Sequence, residues 1–150
     1  MTDPTWVPLR AVVAIQRELI AEHGGLSGPP RHGDLEAALG RPFNLLAYSK
    51  TPLPLPRLAA AYGFALASGH CFPDANKRVA LAIIDVFLRM NDLELTADEL
   101  DAVDTIQSLA AGDLTEDQLA DWIAAHVAPV AKIQRAPPAS RSRGSGRGPR

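Results

Sequence analysis

The residues best equipped for chemistry lie in one stretch, Gly69-His70-Cys71-Phe72-Pro73-Asp74-Ala75-Asn76-Lys77-Arg78, which runs directly into the apolar segment Val79 to Met90. His70 is the side chain able to take a proton from a hydroxyl near neutral pH. Asp74 is a natural helix N-cap and equally an oxygen ligand for a magnesium ion that bridges to a phosphate. Lys77 and Arg78 place two positive charges in the first turn of the helix that follows, where acids are normally favoured. A helix N-terminus already leaves N–H groups unpaired and carries partial positive charge, so this reversal points to a bound anion. Base, metal ligand and phosphate cradle fall within nine residues.

Each of these side chains has a plainer reading when taken alone. His70 would be a structural histidine, Asp74 a cap, and Lys77 and Arg78 solvated charges. Their combination at this spacing favours the functional reading, because specificity grows with every fixed position. Phe72 anchors the loop in the core under either reading. Asn76 serves as a cap or turn residue, and Cys71 has no thiol-activating neighbour in sequence except His70.

The elements that position this stretch read as helices. Residues 9 to 23 place Val12, Ile15 and Leu19 on one face, and Gly24-Gly25 stops the helix. Leu26 to Gly33 is a loop rich in Gly and Pro, with His32 as a surface histidine. A short helix from Asp34 to about Leu46 is expected to be interrupted near Pro42. Thr51-Pro52-Leu53-Pro54-Leu55-Pro56 is then an extended connector. Arg57 to Ser68 forms the next helix, and Gly69 ends it, delivering His70 into the loop. The central helix runs from about Asn76 to Asn91 and is expected to be buried. Thr96-Ala97-Asp98-Glu99 and Thr115-Glu116-Asp117-Gln118 read as capping boxes for helices reaching Ala111 and Val127, the second turning Trp122 and Ile123 inward. No segment sustains strand alternation, so the fold class is all-α, a helical bundle around the central helix.

At 150 residues and 47% hydrophobic, the chain can bury one core. The expected division is an N-terminal arm at 1–8, one domain at 9–130 and a disordered tail at 131–150. From Ala136 the composition is Pro, Ser, Arg and Gly, which cannot form a core. Net charge is −2, but Arg141, Arg143, Arg147 and Arg150 leave −6 on the rest of the chain. Four charges on such a tail give nucleic acid only weak, salt-sensitive contact. The single Cys excludes an internal disulfide and fits a reducing compartment. No run reads as a signal peptide or a membrane span, so a cytoplasmic location is expected.

The pattern His70-x-Phe72-x-Asp74-Ala75-Asn76-Lys77-Arg78 resembles the signature of the Fic fold, and specifically its death-on-curing (Doc) branch. The wider Fic pattern has Gly in place of Ala75, Gly in place of Lys77 and Arg in place of Leu81; the Ala-Asn-Lys-Arg form marks the Doc branch. Pro is common where Cys71 stands. The resemblance spans Leu9 to Val127 and includes His23-Gly24-Gly25-Leu26 and Leu35-Glu36-Ala37-Ala38-Leu39-Gly40-Arg41.

The resemblance implies a Fic fold and a toxin of a toxin–antitoxin system that transfers the γ-phosphate of ATP to a threonine of elongation factor Tu or another translation protein. It further implies His70 as catalytic base, Asp74 as the Mg²⁺ ligand, and Ala75, Asn76, Lys77 and Arg78 as the nucleotide and phosphate site. Lys77 fills space that glycine leaves open in Fic enzymes, so the nucleotide is expected to bind reversed. AMP transfer to a protein hydroxyl is the alternative enzyme reading. A non-catalytic binding domain is the alternative of another class, and the intact His70 and Asp74 argue against it. The connector at Thr51 to Pro56 corresponds to a target-pairing flap, although its prolines remove donors. The chain lacks the internal inhibitory sequence Ser/Thr-x-x-x-Glu-Gly/Asn, which implies inhibition by a small Phd-like antitoxin folding into a groove on the N-terminal helices.

Overall fold

The structure is a computed structural model and describes residues 3–131. The basic tail expected from the sequence therefore lies outside the described residues. Helices α1 (Leu9–His23), α2 (His32–Ala47), α3 (Leu55–Ser68) and α4 (Asn76–Met90) are followed by strand β1 (Leu93–Leu95), helices α5 (Glu99–Ala110) and α6 (Glu116–Ala124), and strand β2 (Val127–Pro129).

Helix α4 packs against α1, α3, α5 and β1. It buries Val79, Ala80, Ile83, Ile84, Phe87 and Leu88, while Lys77, Arg78 and Arg89 stay exposed. Its closest neighbour is α3, whose Ala-rich face lets the two backbones approach. Gly63 marks the contact, since a Cβ there would sit 2.6 Å from Ile84 Cδ1. The segment before α1 closes one side of the core. Val7 is buried and its N–H donates to the Tyr62 hydroxyl at 3.1 Å, while Trp6 stacks on Phe87 with centroids 5.9 Å apart. Asn91, just past α4, accepts from Thr5 N–H at 2.8 Å and donates to Thr5 O at 3.0 Å. Glu116, its side chain 10% exposed, pairs with Arg41 of α2 and with Arg57 of α3 at 2.7 Å.

The fold is mostly helical, as expected, with local differences. β1 and β2 form a small antiparallel sheet with Glu94 opposite Ala128; strands of three residues are too short to show alternation. That pairing draws in Thr96, whose N–H donates to His126 O at 2.6 Å. Asp98 therefore caps α5 in place of Thr96, accepting from Asp101 N–H at 2.9 Å. The Thr115 capping box forms as read, but α6 ends at Ala124 because Val127 enters the sheet. Ile123 is buried, while Trp122 is only half-buried and donates its indole N–H to Asp101 at 3.2 Å. Helix α2 runs through Pro42 without interruption; the proline is buried, and tertiary packing overrides the local preference. His32 is exposed but opens α2, two residues earlier than the sequence places the helix.

Candidate active site

The loop between α3 and α4 is held in shape by its own side chains. Asn76, the first residue of α4, folds back over it: its Nδ2 donates to Phe72 O at 2.9 Å and its Oδ1 accepts from Phe72 N–H at 3.0 Å. Phe72 and Cys71 are buried beneath. Two non-glycine residues with positive φ bound the tight part of the loop, His70 at 50° and Ala75 at 69°. Such conformations cost free energy and persist only where the surroundings over-determine them. The glycine of the wider pattern at the Ala75 position has the same steric logic.

Asp74 does not cap α4, contrary to one sequence reading. The cap position is Ala75, and no side chain among the described residues caps the helix. The Asp74 carboxylate instead accepts from Leu26 N–H at 3.0 Å and from Ala75 N–H at 2.8 Å. Those two bonds, helped by the charges of Arg78 and Lys77, hold its carboxyl below the usual carboxylate range despite some desolvation. The group is ionised at neutral pH. Gly25 permits the close approach, as a Cβ there would lie 2.6 Å from Asp74 Oδ2.

His70, Asp74, Ala75, Asn76, Lys77 and Arg78 all line one cleft of about 690 Å³, within the range of small-molecule sites. The uncapped N-terminus of α4 opens into it, with the exposed Lys77 and Arg78 on its wall. Phe72 and Cys71 lie outside this cleft, buried under the loop, as an anchor should be. A second cleft of about 370 Å³ lies against the same loop, between Pro29, Arg31 and Pro73, and His70 and Asn76 line both. A cleft as large as the first, near Asp3, Leu53 and Asp92, contains neither a histidine nor a cation and so lacks the means to do this chemistry.

Several contributors escaped the sequence reading. Val103, Gln107 and Ala110 of α5 form the far wall of the main cleft. Their sequence shows only an amphipathic helix. Arg31 donates to the His70 carbonyl at 2.7 Å, and its backbone N–H donates to Cys71 O at 2.8 Å. The Gly24-Gly25 turn was the one available signal that the backbone must pass close to something here. Cys71 is no candidate nucleophile: burial, with the charge of Asp34 outweighing that of Arg31, pushes its thiol up.

Asp74 offers one ionised carboxylate oriented by backbone N–H groups, and no cluster of three ligating side chains occurs among the described residues. That donor set fits a magnesium ion completed by phosphate oxygens and water. No helix among the described residues is long and apolar enough to cross a membrane.

The sequence model of the Fic/DOC family matches residues 6–88, more than half of the chain. A protein named protein kinase doc, from Escherichia phage P1, is 34% identical over 112 residues, covering 75% of this chain and 87% of the relative.

Proposed function

This chain belongs to the Fic/DOC family, and from that premise we propose that it is a Doc-type toxin kinase, transferring the γ-phosphoryl group of ATP to a Ser or Thr hydroxyl on a protein. The observation that carries the reading is the convergence of His70, Asp74, Lys77, Arg78 and an uncapped helix N-terminus in one cleft. Phosphoryl transfer asks mainly for positioning and charge stabilisation, and this cleft is built of those parts.

In this mechanism the main cleft takes the triphosphate, and the target hydroxyl enters from the smaller cleft on the other side of His70. His70 accepts the hydroxyl proton as the oxygen bonds to the γ-phosphorus and the bridge to ADP breaks. Lys77, Arg78 and the first N–H groups of α4 take up the charge on the transferring group and on ADP. Asp74 would hold Mg²⁺, which when bound neutralises phosphate charge. Asn76 keeps the Phe72 backbone, and with it the loop carrying His70, in register with α4.

Elongation factor Tu, or another translation protein, is the proposed target, and translation arrest the outcome. A small Phd-like antitoxin is the proposed inhibitor. The test is to mix the purified chain with elongation factor Tu, Mg²⁺ and ATP labelled on either the γ- or the α-phosphate. Label from γ alone supports the kinase. AMP transfer is the second reading, favoured because the His70-to-Asn76 geometry would serve attack at either phosphorus, and label from α would establish it.

A further inference from the structure

Gln16 sits among the apolar residues of α1 and is only 2% exposed, yet it carries an amide. Its Nε2 donates to the backbone carbonyl of Asp74 at 3.3 Å, the single hydrogen bond its side chain makes among the described residues. A hydrocarbon side chain of similar size would fill this position at least as well. A buried amide that makes one hydrogen bond among the described residues is a poor source of stability. Packing therefore does not explain Gln16.

The peptide unit that Gln16 touches does. It joins Asp74 to Ala75: its C=O accepts from Gln16, and its N–H donates to Asp74 Oδ1 at 2.8 Å. Because the peptide is planar, fixing its carbonyl fixes the direction of that N–H, and so the carboxylate that N–H holds. The same plane sets the entry of the chain into Ala75, at φ 69°, and hence into the first turn of α4. The turn after α1 holds the other carboxylate oxygen through Leu26 N–H. Helix α1 and its terminal turn thus brace Asp74 from behind at backbone and side chain.

We propose that Gln16 is a positioning residue that pins the Asp74–Ala75 peptide plane and thereby aims the Asp74 carboxylate into the phosphate cleft. The proposal rests on reading Asp74 as the ligand for Mg²⁺ and phosphate.

The test uses the full chain with Gln16→Met, which keeps the volume and removes the donor. Without nucleotide or metal, the variant should melt at or above the wild-type temperature. Its Ala75 amide should shift in the ¹H–¹⁵N spectrum and lose protection from hydrogen exchange by about tenfold or more. In transfer assays the half-saturating Mg²⁺ concentration should rise by about tenfold, as it does when other supports of metal ligands are removed, with a smaller change in kcat. Failure of Gln16→Met to fold would overturn the proposal by making the amide a structural requirement, and so would an unshifted Ala75 amide. Asp74→Asn separates this inference from the reading beneath it. If Asp74→Asn abolishes transfer while Gln16→Met keeps wild-type Mg²⁺ dependence, the positioning role fails alone. If Asp74→Asn transfers normally, the site reading fails whatever Gln16 does.

Discussion

Asn76 grips Phe72 by both backbone atoms, donating to its carbonyl at 2.9 Å and accepting from its N–H at 3.0 Å. The clamp joins the start of α4 to the middle of the loop, so the helix that offers its N-terminus to phosphate also fixes the segment that carries His70. Replacing Asn76 by Ala removes both bonds and leaves two partly buried backbone groups unpaired. Denaturant unfolding should show a loss of about 1–3 kcal/mol, and transfer activity should fall further than the stability change explains.

Lys77 is exposed on the cleft wall, so its replacement leaves the core untouched. Lys77→Gly should lower γ-phosphoryl transfer while costing about 1 kcal/mol as a helical glycine. Appearance of AMP transfer in this variant would support reversed nucleotide binding in the parent. A variant that kept full kinase activity would remove Lys77 from the mechanism.

Cys71 is fully buried and its thiol is pushed up, chiefly by burial. A group that holds its proton more tightly when folded contributes stability below its unfolded pKa, about 8.5, and loses it as pH rises toward the folded value. Stability of the wild type relative to Cys71→Ala should therefore decline above that pH. In the native protein the thiol should resist alkylation at neutral pH and react on unfolding. Rapid labelling of native protein would contradict the buried, protonated thiol.

Gly63 lies where α3 meets α4, with no room for a methyl group: a Cβ would meet Ile84 Cδ1 at 2.6 Å and Leu119 Cδ2 at 3.2 Å. Gly63→Ala should destabilise by about 1–3 kcal/mol through overpacking, the better helix propensity of Ala notwithstanding. Thermal melting checks this directly. An unchanged melting temperature would mean that Ile84 repacks without strain.

Much of this architecture was legible in the sequence. The Gly24-Gly25 stop, the Thr115 capping box and the run from Val79 give helix ends and the central element, and local chemistry alone decides them. The motif residues were legible as a group because they are contiguous. What escaped depends on distant parts of the chain. Thr96 and Asp98 are equally good caps by type, and only the pairing of β1 with β2, across more than thirty residues, chooses between them. Asp74 reads as an N-cap locally, but Leu26, far upstream, supplies a donor that turns its carboxylate elsewhere. The α5 wall of the cleft carries no motif, since Val103, Gln107 and Ala110 read in sequence as ordinary positions of an amphipathic helix.

The measurement that bears most directly on the central claim is transfer of γ-labelled phosphate to elongation factor Tu by the wild type and by His70→Ala in parallel, with melting curves for both. His70 is exposed and, among the described residues, only its backbone carbonyl makes a hydrogen bond to the rest of the fold, so the variant should fold normally. The account predicts label incorporation by the wild type and a rate at least about a hundredfold lower for the variant. A folded His70→Ala protein that transfers phosphate at the wild-type rate would contradict the assignment of His70 as the base, and with it the mechanism proposed for this cleft.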